Sequence, residues 1–263
     1  MIDIRKLIVK KYIQYFCLKP KKRRAARNVD SIYIYYRICD VGYPKEKPEY
    51  ITKENCLRNA VQAFPIDKVH WHVIADNVCE KTYRMILKYI PTELIERTSV
   101  GHGAGTFRMA FEQALKLGDN DLCYFLEDDY LHLPESLDCL EEAASFNEED
   151  YITLYDHPDK YGFQWAGMSW LQKRQEILFT GHRHWQTTSS TTMTFAAFAD
   201  VLRRDRDVFM RWTETKHPYD FQIFIELALF NKAYLISPIP SLSTHGETKF
   251  LAHVIDWEKY SKE

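Results

Sequence analysis

Long apolar runs are absent from this sequence, and their absence sets the first expectations. No stretch approaches the roughly 20 apolar residues that a membrane-spanning helix requires. The segment LIVKKYIQYFCL, at residues 7–18, is interrupted by two lysines and lacks a small-residue cleavage site. It therefore does not match a secretory signal peptide. We expect a cytoplasmic protein without a membrane-spanning anchor.

Sulfur and glycine motifs are equally sparse. The six cysteines form no Cys-x-x-Cys pair, and several lie in apolar runs, where cysteine behaves as a small hydrophobic residue. We therefore predict free thiols and no zinc site. The loop at 40–50 contains Gly42 as its single glycine. A nucleotidyltransferase would place a glycine-rich phosphate loop there, so this absence argues against that class.

Charge is distributed unevenly along the chain, although the net charge is only −2. Residues 1–27 contain ten Lys or Arg and one Asp, a net charge of +9, so the remainder carries −11. We assign 1–29 to a basic arm and 30–263 to one folded domain. A basic amphipathic segment beside a polybasic run favours an anionic membrane surface over nucleic acid. A solvated tail is the third interpretation, and no nucleic-acid partner is expected.

Strands and helices alternate through the first half of the chain. Runs of β-branched and aromatic residues predict strands at 31–39, 69–76, 93–99 and 121–129. Apolar periodicity, an N-cap at Thr52 and breakers at Pro65 and Gly118 predict helices at 52–64, 80–90 and 106–117. Continuous apolar strands between helices indicate a parallel sheet covered on both faces. The predicted fold class is α/β, with a central, mostly parallel sheet flanked by helices.

The second half is less regular. Its pattern predicts helices at 135–146, 195–205 and 219–230, a strand at 151–158, and a strand with an exit loop at 233–246. No internal repeat, low-complexity segment or linker separates the halves. We therefore predict one domain behind the basic arm.

Polar or glycine-rich residues end each of the first four predicted strands. In chain order these are Arg37 with Asp40, then Asp76, then GHGAG at 101–105, then the acidic triplet at 127–129. Ligands of open α/β sheets bind outside the carboxyl ends of the strands. Four such ends in a row therefore predict a binding cleft.

The GHGAG segment does not match a dinucleotide fingerprint. Thr106 takes the place of the third glycine, and the segment follows the third strand rather than the first. A glycine-rich entry to a helix still exposes backbone N–H groups, so Gly103 is a candidate anion contact. Arg108, one turn into the helix, adds a positive charge. The alternative is a flexible loop with Arg108 paired to Glu112.

The acidic triplet Glu127-Asp128-Asp129 directly follows the apolar strand LCYFL. Period-two alternation sends Glu127 and Asp129 to one face and Asp128 to the other. Oxygen ligands suit Mg²⁺ or Mn²⁺, which bind through few carboxylates together with the phosphates of a substrate. Because the triplet follows a buried strand, we favour a metal site over a solvated acidic turn.

The segment LEDDYLHLPESL resembles the DxD-type metal motif of GT-A glycosyltransferases, in the Glu-Asp-Asp form of the inverting N-acetylglucosaminyltransferase I group. The helix FRMAFEQAL before it and SPIPSLSTHG near the end are similar to features of that group in the same order. The resemblance covers about residues 31–250. This chain is shorter than those Golgi enzymes and diverges through 155–215, so a different acceptor is expected.

The resemblance implies a Rossmann-like GT-A fold and a role for each matching residue. Asp129, the last acid of the motif, would bind the metal directly. Glu127 and Asp128 would orient metal-bound water, the ribose or the donor sugar. Asp76 would accept a hydrogen bond from the uracil N3–H, and Arg37 with Arg108 would neutralise phosphate. The predicted donor contacts are Arg37, Asp40, Asp76, Gly103, Arg108, Glu127 and Asp128.

An inverting transfer needs a base that removes the proton of the acceptor hydroxyl. In that group the base is an Asp at a helix start in the second half, and Asp220 in HPYDFQIF matches the placement. Its alternative is a charge favoured by the helix dipole. Glu226 is the second choice, although a mid-helix glutamate is more often structural. His245 is predicted as a metal or phosphate contact, with a simple hydrogen-bonded histidine as the alternative.

The segment GHRHWQTTSSTT at 181–192 is the predicted acceptor side. Hydroxyl groups and an aromatic ring suit a sugar, so Trp185 and Thr188 are candidate acceptor contacts. His182 and His184 have a spacing that suits one face of a strand, but no third zinc ligand is evident. A polar loop beside a helix N-terminus is the alternative.

These expectations combine into a metal-dependent glycosyltransferase that uses Mn²⁺ or Mg²⁺. It would move a sugar from a nucleotide-sugar donor, preferably a UDP-sugar, to an oligosaccharide or lipid-linked glycan, with inversion implied by the resemblance alone. Residues 1–27 would hold it peripherally at the inner face of a membrane. Two alternatives stay open: a metal-dependent nucleotidyltransferase or hydrolase, and a non-catalytic glycan-binding protein of the same fold.

Overall fold

The computed structural model describes residues 26–42, 44–146, 150–161 and 176–262. Its strands are β1 Ser31–Cys39, β2 His70–Asp76, β3 Ile95–Thr98, β4 Asp121–Glu127, β5 Tyr130–His132, β6 Tyr151–Ile152, β7 Ile177–Phe179, β8 His184–Thr188, β9 Phe195–Phe198, β10 Leu235–Ile239 and β11 Ser243–His245. Its α-helices are α1 Lys53–Ala63, α2 Glu80–Ile86, α3 Gly103–Ala114, α4 Ser136–Phe146, α5 Ala199–Arg204, α6 Arg206–Trp212, α7 Asp220–Glu226 and α8 Trp257–Lys262.

One large sheet has the strand order β3-β2-β1-β4-β9-β6-β10-β8-β7. Strands β3, β2, β1 and β4 are mutually parallel. Strand β9 runs antiparallel to both β4 and β6, and β8 runs antiparallel to β10 and β7. The other strands of this sheet therefore share one direction within the described residues. The predicted α/β class with a mostly parallel central sheet is confirmed.

Helices cover both faces of the sheet because its central strands are apolar on both sides. Adjacent residues of β4 point in opposite directions, as the pleat requires. Phe125 packs on Phe107 of α3 with 5.2 Å between ring centroids, and Tyr124 packs on Phe64 after α1 at 5.4 Å. All four rings are fully buried. Each contributes about 2–3 kcal/mol of hydrophobic stabilisation, so β4 is a rigid base for the polar residues that follow it.

Strand β9 corrects the predicted helix at 195–205. Residues 195–198, FAAF, form a buried strand between β4 and β6, and the helix α5 begins only at Ala199. Phe195 packs on Phe125 at 5.2 Å and on Phe224 at 5.3 Å. A short apolar run is equally compatible with a buried strand and a buried helix. Here residues 195–198 form a strand because the backbone N–H and C=O groups along the edge of β4 need hydrogen-bond partners.

Two other second-half elements are shorter than predicted. The strand predicted at 151–158 is regular only over β6, and the helix predicted at 219–230 is α-helical over α7 and continues as a π-helical segment, Leu227–Asn231. The exit segment at 233–246 divides into β10 and β11. Strand β11 leaves the large sheet and pairs antiparallel with β5.

The start of the described chain is bound to the folded body. Arg27 donates to Asn120 Oδ1 at 3.0 Å and to Asp200 Oδ1 at 2.9 Å, and its guanidinium lies 3.8 Å from the ring centroid of Phe198. Arg27 thus belongs to the body rather than to the arm, and the rest of the basic segment up to residue 25 lies outside the described residues.

Two expectations drawn from absent motifs concern thiols and membrane spans. Cys39, Cys56, Cys79, Cys123 and Cys139 are free thiols, as predicted, while the sixth cysteine lies outside the described residues. Within the described ranges, no helix combines the length and the apolarity that crossing a membrane would take.

Candidate functional site

The acidic triplet lies where β4 ends and turns into β5. Glu127 is the last residue of β4, and Asp128 and Asp129 form the turn. Strand β5 then pairs with β11, which sets His245 opposite Tyr130. This pairing carries a histidine from the end of the chain to the carboxyl end of β4. The four groups Glu127, Asp128, Asp129 and His245 therefore share one edge of the fold.

Gly246 explains why a glycine follows His245. A Cβ atom at this position would lie 2.4 Å from Ile51 Cγ2 and 2.7 Å from the backbone oxygen of Asp129. A contact that short with backbone is prohibitive, so any other residue would push β11 away from the turn. Glycine here permits the close approach that brings His245 to Asp129.

Each acid of the triplet has its own cationic partner. Glu127 Oε1 lies 3.0 Å from Arg37 Nη2. Asp128 Oδ2 accepts the N–H of Cys39 at 3.2 Å and lies 3.5 Å from Lys53 Nζ. Asp128 thus faces a different side from Glu127 and Asp129, in line with the period-two alternation.

Asp129 is held by two lysines and a histidine. Its Oδ2 lies 2.9 Å from Lys45 Nζ, 3.0 Å from Lys47 Nζ and 3.6 Å from His245 Nε2. Burial raises the pKa of this carboxyl, but His245, Lys45 and Lys47 together outweigh it and hold the pKa well below the ordinary value. Asp129 is therefore a permanent anion at neutral pH.

The second oxygen of Asp129 is an orphan. The side chain is only 3% exposed, and among the described residues Oδ1 has no hydrogen-bond partner. A buried carboxylate oxygen without a partner is costly. Glu127, Asp129 and His245 can each supply one ligand atom within 4.8 Å of the others. An orphaned oxygen within such a set fits a divalent cation.

His245 is a neutral imidazole in this setting. Burial lowers its pKa to about 4, with Asp129 opposing that shift and Lys45 adding to it. A neutral imidazole has a lone pair for a metal ion. The histidine therefore adds ligand capacity to the two carboxylates without adding charge.

Asp220 lies at the first position of α7 and is connected to the triplet through one loop. Its Oδ2 accepts the N–H groups of Thr191 at 3.3 Å and Thr192 at 2.8 Å. The hydroxyl of Thr192 in turn contacts that of Tyr130, the residue after Asp129. Burial raises the pKa of Asp220, with the N–H groups of this loop opposing the shift.

The connecting loop is strained. Thr192 and Met193 have φ values of 47° and 59°, in the left-handed region that non-glycine residues rarely occupy. Such residues cost about 1–3 kcal/mol each and persist only where surrounding contacts hold them. Arg37 Nη2 donates to Met193 O at 3.3 Å. The same loop thus donates hydrogen bonds to Asp220 and offers a backbone acceptor to Arg37, the partner of Glu127.

Two of the predicted donor contacts, Asp40 and Asp76, make hydrogen bonds to local structure. Asp76 accepts the N–H of Gly101 with both oxygens, at 3.1 and 2.9 Å. Asp40 accepts from the N–H of Cys79 at 2.8 Å and the hydroxyl of Thr82 at 2.9 Å, which closes the first turn of α2. These bonds position loops at the strand ends, and ligand contact by Asp40 and Asp76 stays a prediction.

Gly103 offers less to an anion than the sequence predicted. Its carbonyl accepts from Arg37 Nη1 at 3.1 Å. The next N–H groups of α3 already have partners, since Ala104 donates to Lys216 O at 3.3 Å and Gly105 donates to His102 Nδ1 at 3.0 Å. The chain at 213–218 thus covers this helix start.

Arg108 is placed away from the predicted phosphate contact. Its Nε donates to Thr213 Oγ1 at 3.1 Å and its Nη2 to Met210 O at 2.8 Å. The arginine therefore ties α3 to the end of α6. The alternative partner Glu112 is also not used, because Glu112 pairs with Arg206 at 2.8 Å.

Glu226 and Trp185 also lie outside the arrangement predicted for them. Glu226 is paired with Arg211 and accepts from Trp212 Nε1 at 2.6 Å, so it is a structural acid on the far part of α7. Trp185 is fully buried and its indole N–H donates to Thr180 Oγ1 at 3.1 Å. A ring without an exposed face does not stack on a sugar. Thr188 ends β8 and is half-buried at the start of the 189–194 loop.

Lys45 and Lys47 are the site residues that sequence reasoning missed. They lie in the charged loop PKEKP after β1, which is ordinarily interpreted as solvated. Their spacing was the available signal, because residues two apart in an extended segment point to the same side. The flanking Pro44 and Pro48 favour such extended backbone.

A cleft of about 740 Å³ opens beside the triplet. It lies between the starts of α1 and α2, and its lining includes Thr52, Lys53, Lys81, Thr82 and Arg84. Lys53 contacts both this cleft and Asp128. Its volume is in the range of small-molecule sites.

Comparison with known proteins gives fold neighbours only. No protein family and no curated protein sequence matches the chain. An active-site mutant of LgtC is 14% identical over 74% of this chain and 69% of its own, with a TM-score of 0.43. The 1–349 fragment of S. aureus TarS is 15% identical over 84% of this chain and 59% of its own, with a TM-score of 0.47.

A third neighbour is 4-diphosphocytidyl-2C-methyl-D-erythritol synthase from Anaerococcus prevotii, 10% identical over 89% of this chain and 96% of its own, with a TM-score of 0.46. LgtC and TarS are glycosyltransferases of the GT-A fold. At these identities and scores, the neighbours carry no information about the reaction of this chain. Its function has to be inferred from the site.

Proposed function

We propose that this protein is a metal-dependent glycosyltransferase that transfers a sugar from a nucleotide-sugar donor, preferably a UDP-sugar, to a glycan acceptor. The observation that carries the proposal is the orphaned, buried oxygen of Asp129 beside Glu127 and His245. A second acid, Asp220, lies one loop away. A cation site and a separate proton acceptor at one sheet edge are the two elements that such a transfer needs.

Asp129, Glu127 and His245 would hold the ion, Mn²⁺ or Mg²⁺, and the bound ion would supply positive charge to the leaving diphosphate. Asp128 lies 3.5 Å from Lys53, which lines the neighbouring cleft, and would orient the ribose or sugar. Arg37 fixes Glu127 at 3.0 Å. It is only 5% exposed, so its part is to position the acid rather than to meet solvent.

Asp220 would remove the proton of the acceptor hydroxyl. Its raised pKa, which burial causes and backbone N–H groups oppose, makes it a better proton acceptor than an ordinary aspartate. An acceptor hydroxyl that attacks from the face opposite the leaving diphosphate would invert the anomeric carbon. Inversion is proposed here from the resemblance alone.

Thr188 is the remaining proposed acceptor contact, at the mouth of the loop that holds Asp220. The acceptor would be an oligosaccharide or a lipid-linked glycan, the latter because residues 1–27 carry a net charge of +9. Anionic vesicles should bind the full chain and release it when 1–27 are deleted. Equal binding by both forms would remove the membrane part of the proposal.

The deciding experiment is a calorimetric screen of UDP, GDP, CMP and their sugar conjugates with and without Mn²⁺, alongside an Asp129→Asn variant. The proposal expects one diphosphate to bind in a metal-dependent manner and the variant to lose that binding. Sugar transfer from the matching conjugate should follow in product analysis. Absence of any nucleotide binding, with or without metal, would sink the proposal.

A nucleotidyltransferase is the second candidate, and the loop after β1 favours it. This loop lacks glycine repeats but brings Lys45 and Lys47 to the site, and lysines there suit a triphosphate. Release of pyrophosphate from a nucleoside triphosphate, without transfer from any nucleotide sugar, would select this function.

A further inference from the structure

Lys45 occupies the position that a metal ion would take. Its Nζ lies 2.9 Å from Asp129 Oδ2 and 3.1 Å from His245 Nε2, between two of the three groups that fit a cation. An ammonium group and a metal ion cannot share that position, because they would overlap and repel. Binding of an ion there therefore requires Lys45 to leave.

Lys47 adds a second positive charge to the same oxygen. Its Nζ is 3.0 Å from Asp129 Oδ2, so two ammonium groups meet one carboxylate oxygen while Oδ1 has no partner among the described residues. Like charges this close repel strongly when water is partly excluded. The arrangement is stable only while Asp129 is the best available anion.

Four cationic side chains already lie beside the triplet without a metal ion: Arg37, Lys45, Lys47 and Lys53. A divalent cation would add further positive charge there. A diphosphate ester, which is an anion with several acceptor oxygens, would offset that charge.

The loop is built so that its side chains can move while its backbone stays in place. Glu46 O, between the two lysines, accepts from Thr248 N at 2.8 Å and Thr248 Oγ1 at 3.1 Å. The lysine side chains are 17% and 28% exposed, so they line the open side of the site. A flexible four-carbon stem lets an ammonium group shift by several ångströms without moving the loop.

We propose that Lys45 and Lys47 are exchange residues, which leave Asp129 when a divalent ion binds and then bind the phosphate groups of the donor. This inference rests on the proposed function, because it names two donor ligands of that site. Apo protein would keep Asp129 neutralised by lysine. Loaded protein would have metal on Asp129 and both lysines on the diphosphate.

The test is the double variant Lys45→Met/Lys47→Met, titrated with Mn²⁺ alone and with UDP at saturating Mn²⁺. If the lysines exchange, the double variant should change the affinities for Mn²⁺ and for UDP in opposite directions. Mn²⁺ alone should bind about tenfold tighter, because its competitor is gone, and UDP should bind about tenfold weaker, because two phosphate ligands are gone; each change corresponds to about 1.4 kcal/mol. Calorimetry measures both, and electron paramagnetic resonance of free Mn²⁺ confirms the first.

The matched control is Lys249→Met/Lys262→Met, which removes the same charge from side chains that are 68% and 67% exposed and paired with Glu247 and Glu258. It should change neither affinity. If the double variant folds poorly, the two single variants can be measured instead. Lys45→Met should show most of the gain in Mn²⁺ affinity, and Lys47→Met should mainly show the loss of UDP affinity.

The outcomes separate this inference from the proposed function. If wild-type protein binds UDP with Mn²⁺ while the double variant binds Mn²⁺ no tighter, exchange is overturned and the proposed function stands. If both affinities weaken together, the lysines are structural and exchange is overturned. If wild-type protein binds no nucleotide diphosphate, the proposed function fails, and the phosphate role of the lysines fails with it.

Discussion

Asp129 is buried and Asp220 is half-buried, and their surroundings shift their pKa values in opposite directions. Around Asp129, burial is outweighed by His245, Lys45 and Lys47, and the pKa lies well below the ordinary value. Around Asp220, burial dominates over backbone N–H groups, and the pKa is raised. Charged partners make the first a fixed anion, while uncharged donors leave the second able to accept a proton.

The position of an aspartate in the fold decides which groups surround it, and those groups decide whether its pKa is lowered or raised. Asp129 lies in the turn after a parallel strand, where the loop that follows β1 brings two lysines. Asp220 begins a helix in the mixed half of the sheet and faces a strained turn at 191–193, which offers only backbone donors. Three substitutions and the pH dependence of stability test whether the two aspartates differ in this way.

The largest effect is expected for Asp129→Asn. Loss of the anion removes the main metal ligand, so transfer should fall by about 10⁴-fold or more, in proportion to the several kcal/mol that a metal contributes. Lys45 and Lys47 lose their counterion, so the free energy of unfolding should fall by about 2–4 kcal/mol. Steady-state rates and urea denaturation measure the two. Asp207→Asn, at a 92% exposed side chain, is the control and should change neither.

The second-largest effect on the transfer rate is expected for Asp220→Asn, which should leave UDP affinity and stability unchanged. Loss of the base should lower the transfer rate by about 10²–10³-fold. UDP affinity should stay at the wild-type value, because Asp220 does not contact the triplet directly. Unfolding at pH 7 should show no loss of stability, since desolvation disfavours the charged form of Asp220 and an amide carries no charge. A parallel loss of UDP binding would contradict the separation of the two acids.

The pH dependence of stability should show opposite signs for the two aspartates. Asp220 has a raised pKa in the folded state, so its contribution is present below about 3.9, the pKa of an unfolded aspartate, and is lost as pH rises through the folded pKa. Stability of wild-type protein relative to Asp220→Asn should therefore fall with rising pH, by up to about 1.4 kcal/mol per unit. Relative to Asp129→Asn it should fall as pH decreases below about 3.9, because that folded pKa is depressed.

Urea denaturation at steps from pH 3 to pH 7 measures both differences. The raised pKa of Asp220 should also appear in the rate, as an acidic limb above the usual carboxyl range that disappears in the residual activity of Asp220→Asn. Stability differences of the same sign for both variants would show that the two aspartates are not electrostatically distinct.

The fold was predictable where one strand or helix carried its own signal. Strands β1, β2 and β4 and helices α1 and α3 follow from apolar runs and breakers in the sequence. Strand β9 did not, because FAAF is apolar in either conformation and its pairing partner, β4, is 70 residues away in the chain. Its assignment depends on a sheet edge that only the assembled fold provides.

The candidate site could be predicted in the same way where a local pattern marked its residues, and the roles of those residues stay predictions. The triplet at 127–129 was visible because three acids follow a buried strand, and His245 because of its resemblance to an exit strand. Lys45 and Lys47 were not identified, since a charged loop is ordinarily interpreted as solvated, although their spacing places both side chains on one side of an extended segment. Arg108, Glu226 and Trp185 have hydrogen-bond partners outside their own helix or strand, which the sequence alone does not specify.

The smallest effects are expected where the structure reassigns a predicted site residue to packing. Arg108→Met should leave UDP affinity and the transfer rate within about twofold of wild type. It should lower the free energy of unfolding by about 1 kcal/mol, because Thr213 and Met210 lose a donor that joins α3 to α6. Arg206→Met, which removes an exposed pair with Glu112, is the matched control and should cost less. A tenfold loss of UDP affinity in Arg108→Met alone would show that Arg108 contacts the donor. Arg108 would then have to be counted with Lys45 and Lys47 among the cations that distinguish the surroundings of Asp129 from those of Asp220.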